Sequence, residues 1–132
     1  EFRSIAGSIP PGSMILEVKV GAGRHETDVP RCEMYGPLLV TQYNQITPLF
    51  AFRGQHPLRL VGRLKTATDR LQTDQGSAHE VVSDYNAYME AAAAAGFDHL
   101  LVCNAQLLKQ PLPQNMKLVA RTPHFALLRA NR

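Results

Sequence analysis

Residues 77–104 read SAHEVVSDYNAYMEAAAAAGFDHLLVCN, and this stretch decides the fold class of the chain. Ser77 and Glu80 have the Ser-x-x-Glu spacing of a capping box, in which each side chain satisfies a backbone N–H of the first helical turn. Apolar residues then recur at steps of three and four until Gly96, which is suited to cap a helix C-terminus. The apolar run 99–104 follows after a short turn and predicts a buried strand. The stretch therefore predicts one αβ unit.

Three other runs predict strands, and with the αβ unit they predict a small mixed sheet. They are residues 14–20, 116–121 and 124–129. The strands at 14–20 and 99–104 should be parallel, because a right-handed crossover through helices is the standard connection between such strands. The last two runs flank a Thr-Pro turn and predict an antiparallel pair. We therefore expect an α/β sandwich of two or three layers, with a parallel core pair and a C-terminal antiparallel strand pair.

The remaining segments carry weaker patterns. Residues 2–9 predict the last turns of a helix that a Pro-Pro-Gly sequence ends, and residues 34–46 carry the apolar stripe of a second helix. Residues 58–64 alternate between apolar and polar side chains and predict a short edge strand. Residues 66–76 are polar and predict a mobile connection.

Length and composition predict a single α/β domain over residues 1–132. Hydrophobic residues make up 45% of the chain and charged residues 19%, and no window approaches the roughly 18 apolar residues that a membrane span requires. The net charge of +3 is too small for the concentrated positive field of a nucleic-acid-binding protein, so no nucleic-acid partner is expected. Because the sequence begins without Met or a signal peptide, we expect it to be excised from a longer protein.

The two cysteines, Cys32 and Cys103, are too few for a disulfide scaffold and lack the Cys-x-x-Cys spacing of a zinc or redox site. Two buried thiols are the favoured interpretation. A single disulfide is the alternative in an oxidising compartment, if the helix that carries Cys32 packs beside the strand that carries Cys103.

A basic segment in the middle of the chain is the first candidate binding surface. This segment contains Arg53, Arg59 and Arg63, together with two further basic residues and a single acidic one. Such a surface could contact a phosphate or an anionic lipid headgroup. A solvated segment without a ligand is the alternative, and it is the more common use of a charge run.

The second candidate is a pocket where the predicted parallel strands end. Ligands of α/β sheets bind at the carboxyl ends of parallel strands. Asn104 ends one of these strands, and His25 and Asp28 follow the other. Asp98 precedes the same strand that Asn104 ends, and of the two Asn104 is the better candidate because it lies at the carboxyl end. The turn Gly21-Ala-Gly23 lacks the third glycine of the dinucleotide fingerprint, so no cofactor is expected.

Neither a catalytic residue nor a metal site is predicted. His25, Glu26 and Asp28 are ligand-type side chains close in sequence, but nothing else completes a metal site. Cys103 and Ser83 have no neighbouring base that the sequence identifies, and the chain has no Gly-x-Ser-x-Gly elbow. These residues leave open whether the chain is an enzyme.

Several short segments occur in an order that is similar to that of one protein family. They are Ile9-Pro-Pro-Gly-Ser-Met-Ile-Leu16, Pro48-Leu-Phe50, Gly54-Gln-His-Pro-Leu58, Gly96-Phe-Asp-His-Leu-Leu-Val102 and Phe125-Ala-Leu-Leu-Arg129. Together they span most of the chain. In this order they resemble the soluble C-terminal regions of bacterial polytopic membrane glycosyltransferases and related membrane proteins.

The resemblance implies a non-catalytic accessory domain of an integral membrane protein that uses polyprenyl-phosphate-linked sugars. The domain would lie at the cell membrane, on the extracytoplasmic (periplasmic) side, and would contact the membrane-embedded part of the same protein. Lipid-linked sugars or anionic lipid headgroups would be further partners, through Arg53, Arg59 and Arg63. The catalytic acids of that family lie in loops between its amino-terminal membrane segments, so none is carried over to this chain.

Two alternatives stay open. The first is a free-standing small α/β enzyme or ligand-binding protein with a pocket near residues 21–28 and Asn104. The second is a regulatory subunit that joins a partner through a Leu and Tyr surface, for which an exposed apolar patch would be the sign. Membrane spans upstream of Glu1 in the complete reading frame would favour the accessory domain over both alternatives.

Overall fold

The computed structural model describes residues 1–20, 35–48, 62–75, 85–108 and 111–131, apart from the side chains of residues 72–75. These ranges contain both helices and strands. In chain order they are α1 (Phe2–Ala6), β1 (Ile15–Lys19), α2 (Tyr35–Tyr43), α3 (Gly62–Gln75), α4 (Tyr85–Ala95), β2 (His99–Cys103), β3 (Met116–Arg121) and β4 (Phe125–Ala130). A 3₁₀ turn, Ala105–Leu107, follows β2. None of the helices in the described ranges is both long and apolar enough to span a membrane.

The four strands form one mixed sheet in the order β1-β2-β4-β3. β1 and β2 are parallel, with Ile15 opposite His99 and Lys19 opposite Cys103. β4 is antiparallel to both β2 and β3, so the last strand of the chain lies inside the sheet. The predicted parallel core pair and the predicted C-terminal antiparallel pair are both confirmed.

Helices cover both faces of the sheet, which gives three layers. Successive residues of a strand point to opposite faces, so each strand contributes to two cores. One core packs Ile15, Leu101 and Leu127 against side chains of α1 and α2. The other packs the residues next in sequence, among them Leu16 and Leu100, against side chains of α3 and α4. The prediction of an α/β sandwich is confirmed in its three-layer form.

The αβ unit predicted from residues 77–104 is present as α4 and β2. The helix ends at Gly96, which has a φ of +117° that residues with a side chain rarely adopt. A Cβ added at Gly96 would lie 3.8 Å from Cε of Met14, which is an ordinary van der Waals distance, so the backbone conformation and not a lack of space favours glycine here. Every residue of β2 is buried, as expected for a central strand. The capping box at Ser77 and Glu80 lies outside the described residues.

Residues 62–75 form a helix, and here the sequence-based prediction was wrong. The helix α3 replaces the last residues of the edge strand predicted at 58–64 and most of the mobile connection predicted at 66–76. Leu64, Ala67 and Leu71 recur at helical spacing and pack against the α3–α4 core. The other side chains of the helix are mostly polar, so this apolar stripe is narrow and its period is hard to recognise.

An aromatic cluster fixes α1 to the sheet. The ring of Tyr35 lies 4.6 Å from that of Phe2 and 5.1 Å from that of Phe125, measured between centroids. Aromatic pairs at these separations add to the stabilisation that burial alone provides. The short helix predicted at the start of the chain is thereby confirmed and has a defined place on β4.

Candidate site at the carboxyl end of the parallel strands

Asn104 terminates β2 in a conformation that few side chains tolerate. Its backbone is left-handed, with φ 59° and ψ 45°, and asparagine is among the residues that adopt this region at low cost. The side chain is buried, and its Nδ2 donates a hydrogen bond of 3.2 Å to the carbonyl of Val20. Its Oδ1 is also buried and accepts no hydrogen bond within the described ranges. Asn104 therefore joins the carboxyl ends of β1 and β2 and keeps one acceptor unused.

Further hydrogen bonds fix the chain on either side of Asn104. The amide of Val20 donates to the carbonyl of Cys103 at 3.1 Å, which extends the parallel ladder beyond β1. The amide of Ala105 donates to the carbonyl of His124 at 3.0 Å. Nη2 of Arg121 donates to the carbonyl of Ala105 at 2.7 Å and places a guanidinium next to this turn. A neutral amide and a nearby cation can bind and orient a polar ligand, but they supply neither a nucleophile nor a general base.

Cys103 is fully buried and is disulfide-bonded rather than a free thiol. The sequence contains one other cysteine, Cys32, which lies outside the described residues. The favoured prediction, two buried thiols, is therefore wrong for Cys103. This cysteine is buried but forms a disulfide, which was the alternative prediction. The bond lies one residue before Asn104, at the carboxyl end of β2.

At the amino end of β2, two other candidate residues bind backbone atoms. Oδ2 of Asp98 accepts a hydrogen bond of 2.7 Å from the amide of Met14. Nη1 of Arg63 lies 3.7 Å from the same oxygen, and its Nη2 donates to the carbonyl of Gly12 at 2.5 Å. The Arg63 side chain is 57% exposed, so this ion pair contributes little by itself. Arg63 nevertheless ties α3 to the turn before β1.

The structure describes one residue of each predicted site, Arg63 of the basic segment and Asn104 of the pocket. Arg63 and Asn104 lie at opposite ends of the β1–β2 pair, so they cannot share a small ligand. Arg53, Arg59, His25 and Asp28 lie outside the described residues. Among the residues that the structure describes, no three His, Cys, Asp or Glu side chains are grouped as a metal site would require.

A contact between Glu1 and His124, which the sequence did not predict, fixes the start of the chain to the sheet. The carboxylate of Glu1 accepts hydrogen bonds of 3.0 Å from the backbone amide and from ring Nδ1 of His124. These bonds, the backbone one first, and a further one from Thr122 lower the pKa of Glu1 from 4.5 to about 2. Glu1 and His124 are separated by almost the whole sequence, so no local pattern indicates the pairing.

Comparison of the chain with protein-family models, curated proteins and solved structures finds no match. The similarity to membrane glycosyltransferase domains therefore depends on the short sequence segments alone.

Proposed function

We propose that this chain is an accessory, non-catalytic domain of an integral membrane protein and that it lies on the extracytoplasmic side of the membrane. The parent protein is a glycosyltransferase that uses polyprenyl-phosphate-linked sugars. The domain packs against the membrane-embedded part of that protein. The assignment to a glycosyltransferase is supported by the order of short segments that resemble those of the family.

The disulfide at Cys103 is the observation that carries the extracytoplasmic assignment. Disulfides persist in oxidising compartments such as the bacterial periplasm and are rare in the cytosol. The bond lies in the central strand of the sheet, where every residue is buried, so it belongs to the structural core. A structural disulfide in the core is typical of a domain that folds after export.

The polar candidates support a structural role. Asp98, Arg63 and Asn104 each bind a backbone atom that joins two segments distant in sequence. Such bonds hold a scaffold together. A domain whose polar side chains are used in this way is suited to support a catalytic centre that lies elsewhere in the parent protein.

Thiol labelling in intact cells tests the location. Lys65 is exposed on α3, so a Lys65→Cys variant of the complete protein presents a thiol away from the disulfide. We expect a membrane-impermeant maleimide to label this variant in intact cells and to label the wild type much less. Labelling that appears only after lysis, or recovery of the protein in the cytosolic fraction, would contradict the proposal.

A sugar-transfer assay tests whether the complete protein is catalytic and the isolated chain is not. The complete protein should transfer sugar from a polyprenyl-phosphate donor, and the isolated chain should transfer none. The complete reading frame should also encode several apolar segments of membrane length upstream of Glu1. Sugar transfer by the isolated chain, or a reading frame without such segments, would contradict the assignment.

The unused acceptor on Asn104 favours a second candidate, a ligand-binding role. Buried polar atoms nearly always have a hydrogen-bond partner, so Oδ1 of Asn104 is available for a ligand that donates an O–H or N–H. Neutral monosaccharides provide such donors. In an amide NMR titration with a panel of them, we expect shifts at Val20, Asn104 and Ala105.

The Asn104→Gly variant is the control, because glycine accepts the left-handed backbone and lacks the amide. Shifts that persist in this variant would exclude Asn104 as the binding group, and a wild type without shifts would exclude the role.

A further inference from the structure

Three basic residues form one row across the sheet, which we call the basic row: Lys117, Arg129 and His99. Lys117 of β3 lies directly opposite Arg129 of β4, and Arg129 lies directly opposite His99 of β2. Side chains of directly opposed residues in antiparallel strands point to the same face, with Cβ atoms about 5 Å apart. Arg129 comes two positions after Leu127, which packs against α1 and α2. The basic row therefore lies on the α1–α2 face.

The pairing of Lys117 with Arg129 is unfavourable without a ligand. Both side chains are exposed, and neither has an ion pair or hydrogen bond in the part of the chain that the structure describes. Like charges directly opposite each other destabilise a strand pair. An anion between the two side chains would convert this repulsion into two attractive contacts.

The backbone at this end of the sheet is held firmly, so the two cations cannot simply separate by a change of register. The amide of Ala130 donates to the carbonyl of Asp98 at 3.0 Å, and that of Asn131 donates to the carbonyl of Asn115 at 2.8 Å. These bonds extend the pairing past Arg129 on both sides of β4. The basic row is thus a preorganised arrangement of charge.

His99 adds a second unusual feature at the inner end of the row. It is 6% exposed, and its Nδ1 is buried without a hydrogen-bond partner among the described residues. Burial lowers the pKa of His99, the neighbouring Asp98 opposes this, and the charge of Arg129 adds to it. The carboxylate of Asp98 binds the amide of Met14 and lies near Arg63. Within the described ranges, an unpartnered polar atom of this kind beside the Arg129 cation indicates a place for a ligand.

We propose that the basic row binds a phosphate group. Arg129 offers a planar fork that matches phosphate oxygens, Lys117 offers a mobile ammonium, and His99 borders the site on its buried side. A soluble phosphate ester and a phospholipid headgroup share this chemistry. The site is argued from strand register, burial and the hydrogen bonds and ion pairs of the described residues, and it does not depend on the membrane assignment.

Titration with inorganic phosphate, followed by amide and histidine NMR signals, tests the site. We expect shifts at Lys117, Arg129 and His99 in the wild type. The Lys117→Gln/Arg129→Gln variant should bind phosphate at least about tenfold more weakly, because charge-assisted hydrogen bonds are lost. A wild type without these shifts would overturn the proposal.

A matched control carries the same change of net charge elsewhere. Lys65 and Arg70 are exposed on α3, which packs on the opposite face of the sheet. The Lys65→Gln/Arg70→Gln variant should bind phosphate as the wild type does. An equal loss in both double variants would show that only overall charge matters and would overturn the site.

Thermal unfolding separates loss of binding from loss of folding. Without phosphate, the Lys117→Gln/Arg129→Gln variant should unfold at the same temperature as the wild type or higher, because repulsion has been removed. Phosphate should raise the unfolding temperature of the wild type and of the α3 control, since a ligand of the native state stabilises it by mass action. A phosphate-dependent rise of equal size in the basic-row variant would contradict the assignment.

Two further probes identify the source of the phosphate. Glycerol 3-phosphate represents a soluble ester, and phosphatidylcholine vesicles with or without phosphatidylglycerol represent a lipid surface. Binding to glycerol 3-phosphate that requires the basic row assigns a soluble ligand. Binding to phosphatidylglycerol vesicles alone, again dependent on the row, assigns a headgroup. Binding to neither probe would overturn the proposal.

Discussion

The two ends of β2 carry polar residues that look alike in the sequence and differ in the structure. At the amino end, the Asp98 carboxylate is engaged by the Met14 amide and lies near Arg63. At the carboxyl end, Asn104 uses its Nδ2 on Val20, and its Oδ1 has no partner within the described ranges. A polar residue at a strand end can thus be fully used in joining backbone segments. Only one with unused hydrogen-bonding capacity is a candidate for a ligand.

The disulfide gives the largest expected difference between the two ends. Reduction should lower the free energy of unfolding by about 4 kcal/mol, which lies within the usual cost of removing a native disulfide. Urea unfolding with and without reductant measures this, and a Cys103→Ala variant should unfold near the midpoint of the reduced wild type. Equal midpoints with and without reductant would mean that the carboxyl end has no such anchor.

At the amino end, Asp98→Ala should lower the free energy of unfolding by about 3 kcal/mol, because the Met14 amide loses a charged acceptor. Asp98→Asn is the matched control, since its side-chain oxygen can still accept that hydrogen bond. It should cost about 1 kcal/mol. If the two variants unfold at the same urea concentration, the hydrogen bond to Met14 does not stabilise the amino end.

At the carboxyl end, Asn104→Ala should lower the free energy of unfolding by about 2 kcal/mol. Part of this loss comes from the missing hydrogen bond to Val20, and part comes from holding alanine in the left-handed backbone conformation. Asn104→Gly should cost about 1 kcal/mol, because glycine removes only the hydrogen bond. Urea midpoints of the two variants separate these contributions. An alanine variant as stable as the glycine variant would show that the left-handed backbone is not a constraint here.

The contact between Glu1 and His124 provides the smallest and most pH-dependent difference. The pKa of Glu1 is lowered from 4.5 to about 2 in the folded state. Its contribution to stability is therefore present above pH 4.5 and is lost as the pH falls through about 2. The Glu1→Gln variant should show a shallower loss of stability than the wild type over this interval. Parallel curves from unfolding at several pH values would exclude the contribution of Glu1.

Local patterns were sufficient to predict most of the fold. The change from a helical pattern to an apolar strand at Gly96 is visible in neighbouring residues. It predicted a helical crossover connection, and such a connection makes β1 and β2 parallel. The helix at residues 62–75 was missed because few of its described side chains, Leu64, Ala67 and Leu71, make apolar contacts with the core. The position of β4 between β2 and β3 has no local signature, since it depends on pairing across the whole sheet.

The site was less predictable, because its contacts join residues far apart in sequence. Asn104 could be placed at the carboxyl edge from strand order alone. The hydrogen bond from Arg63 to Gly12 spans 51 positions, so a basic side chain that looked free in the sequence is occupied in the structure. The basic row requires the register of three strands, which the sequence does not reveal.

The position of β4 inside the sheet also determines when the domain can fold. Met14 and Asp98, which join β1 to β2, are 84 positions apart, and closing so long a loop is slow. During synthesis β2 keeps an open edge until Phe125–Ala130 has left the ribosome, because β4 is the strand that pairs with that edge in the described sheet. The sheet is therefore completed only once β4 has been made, and a nascent chain without β4 presents an exposed apolar strand to chaperones.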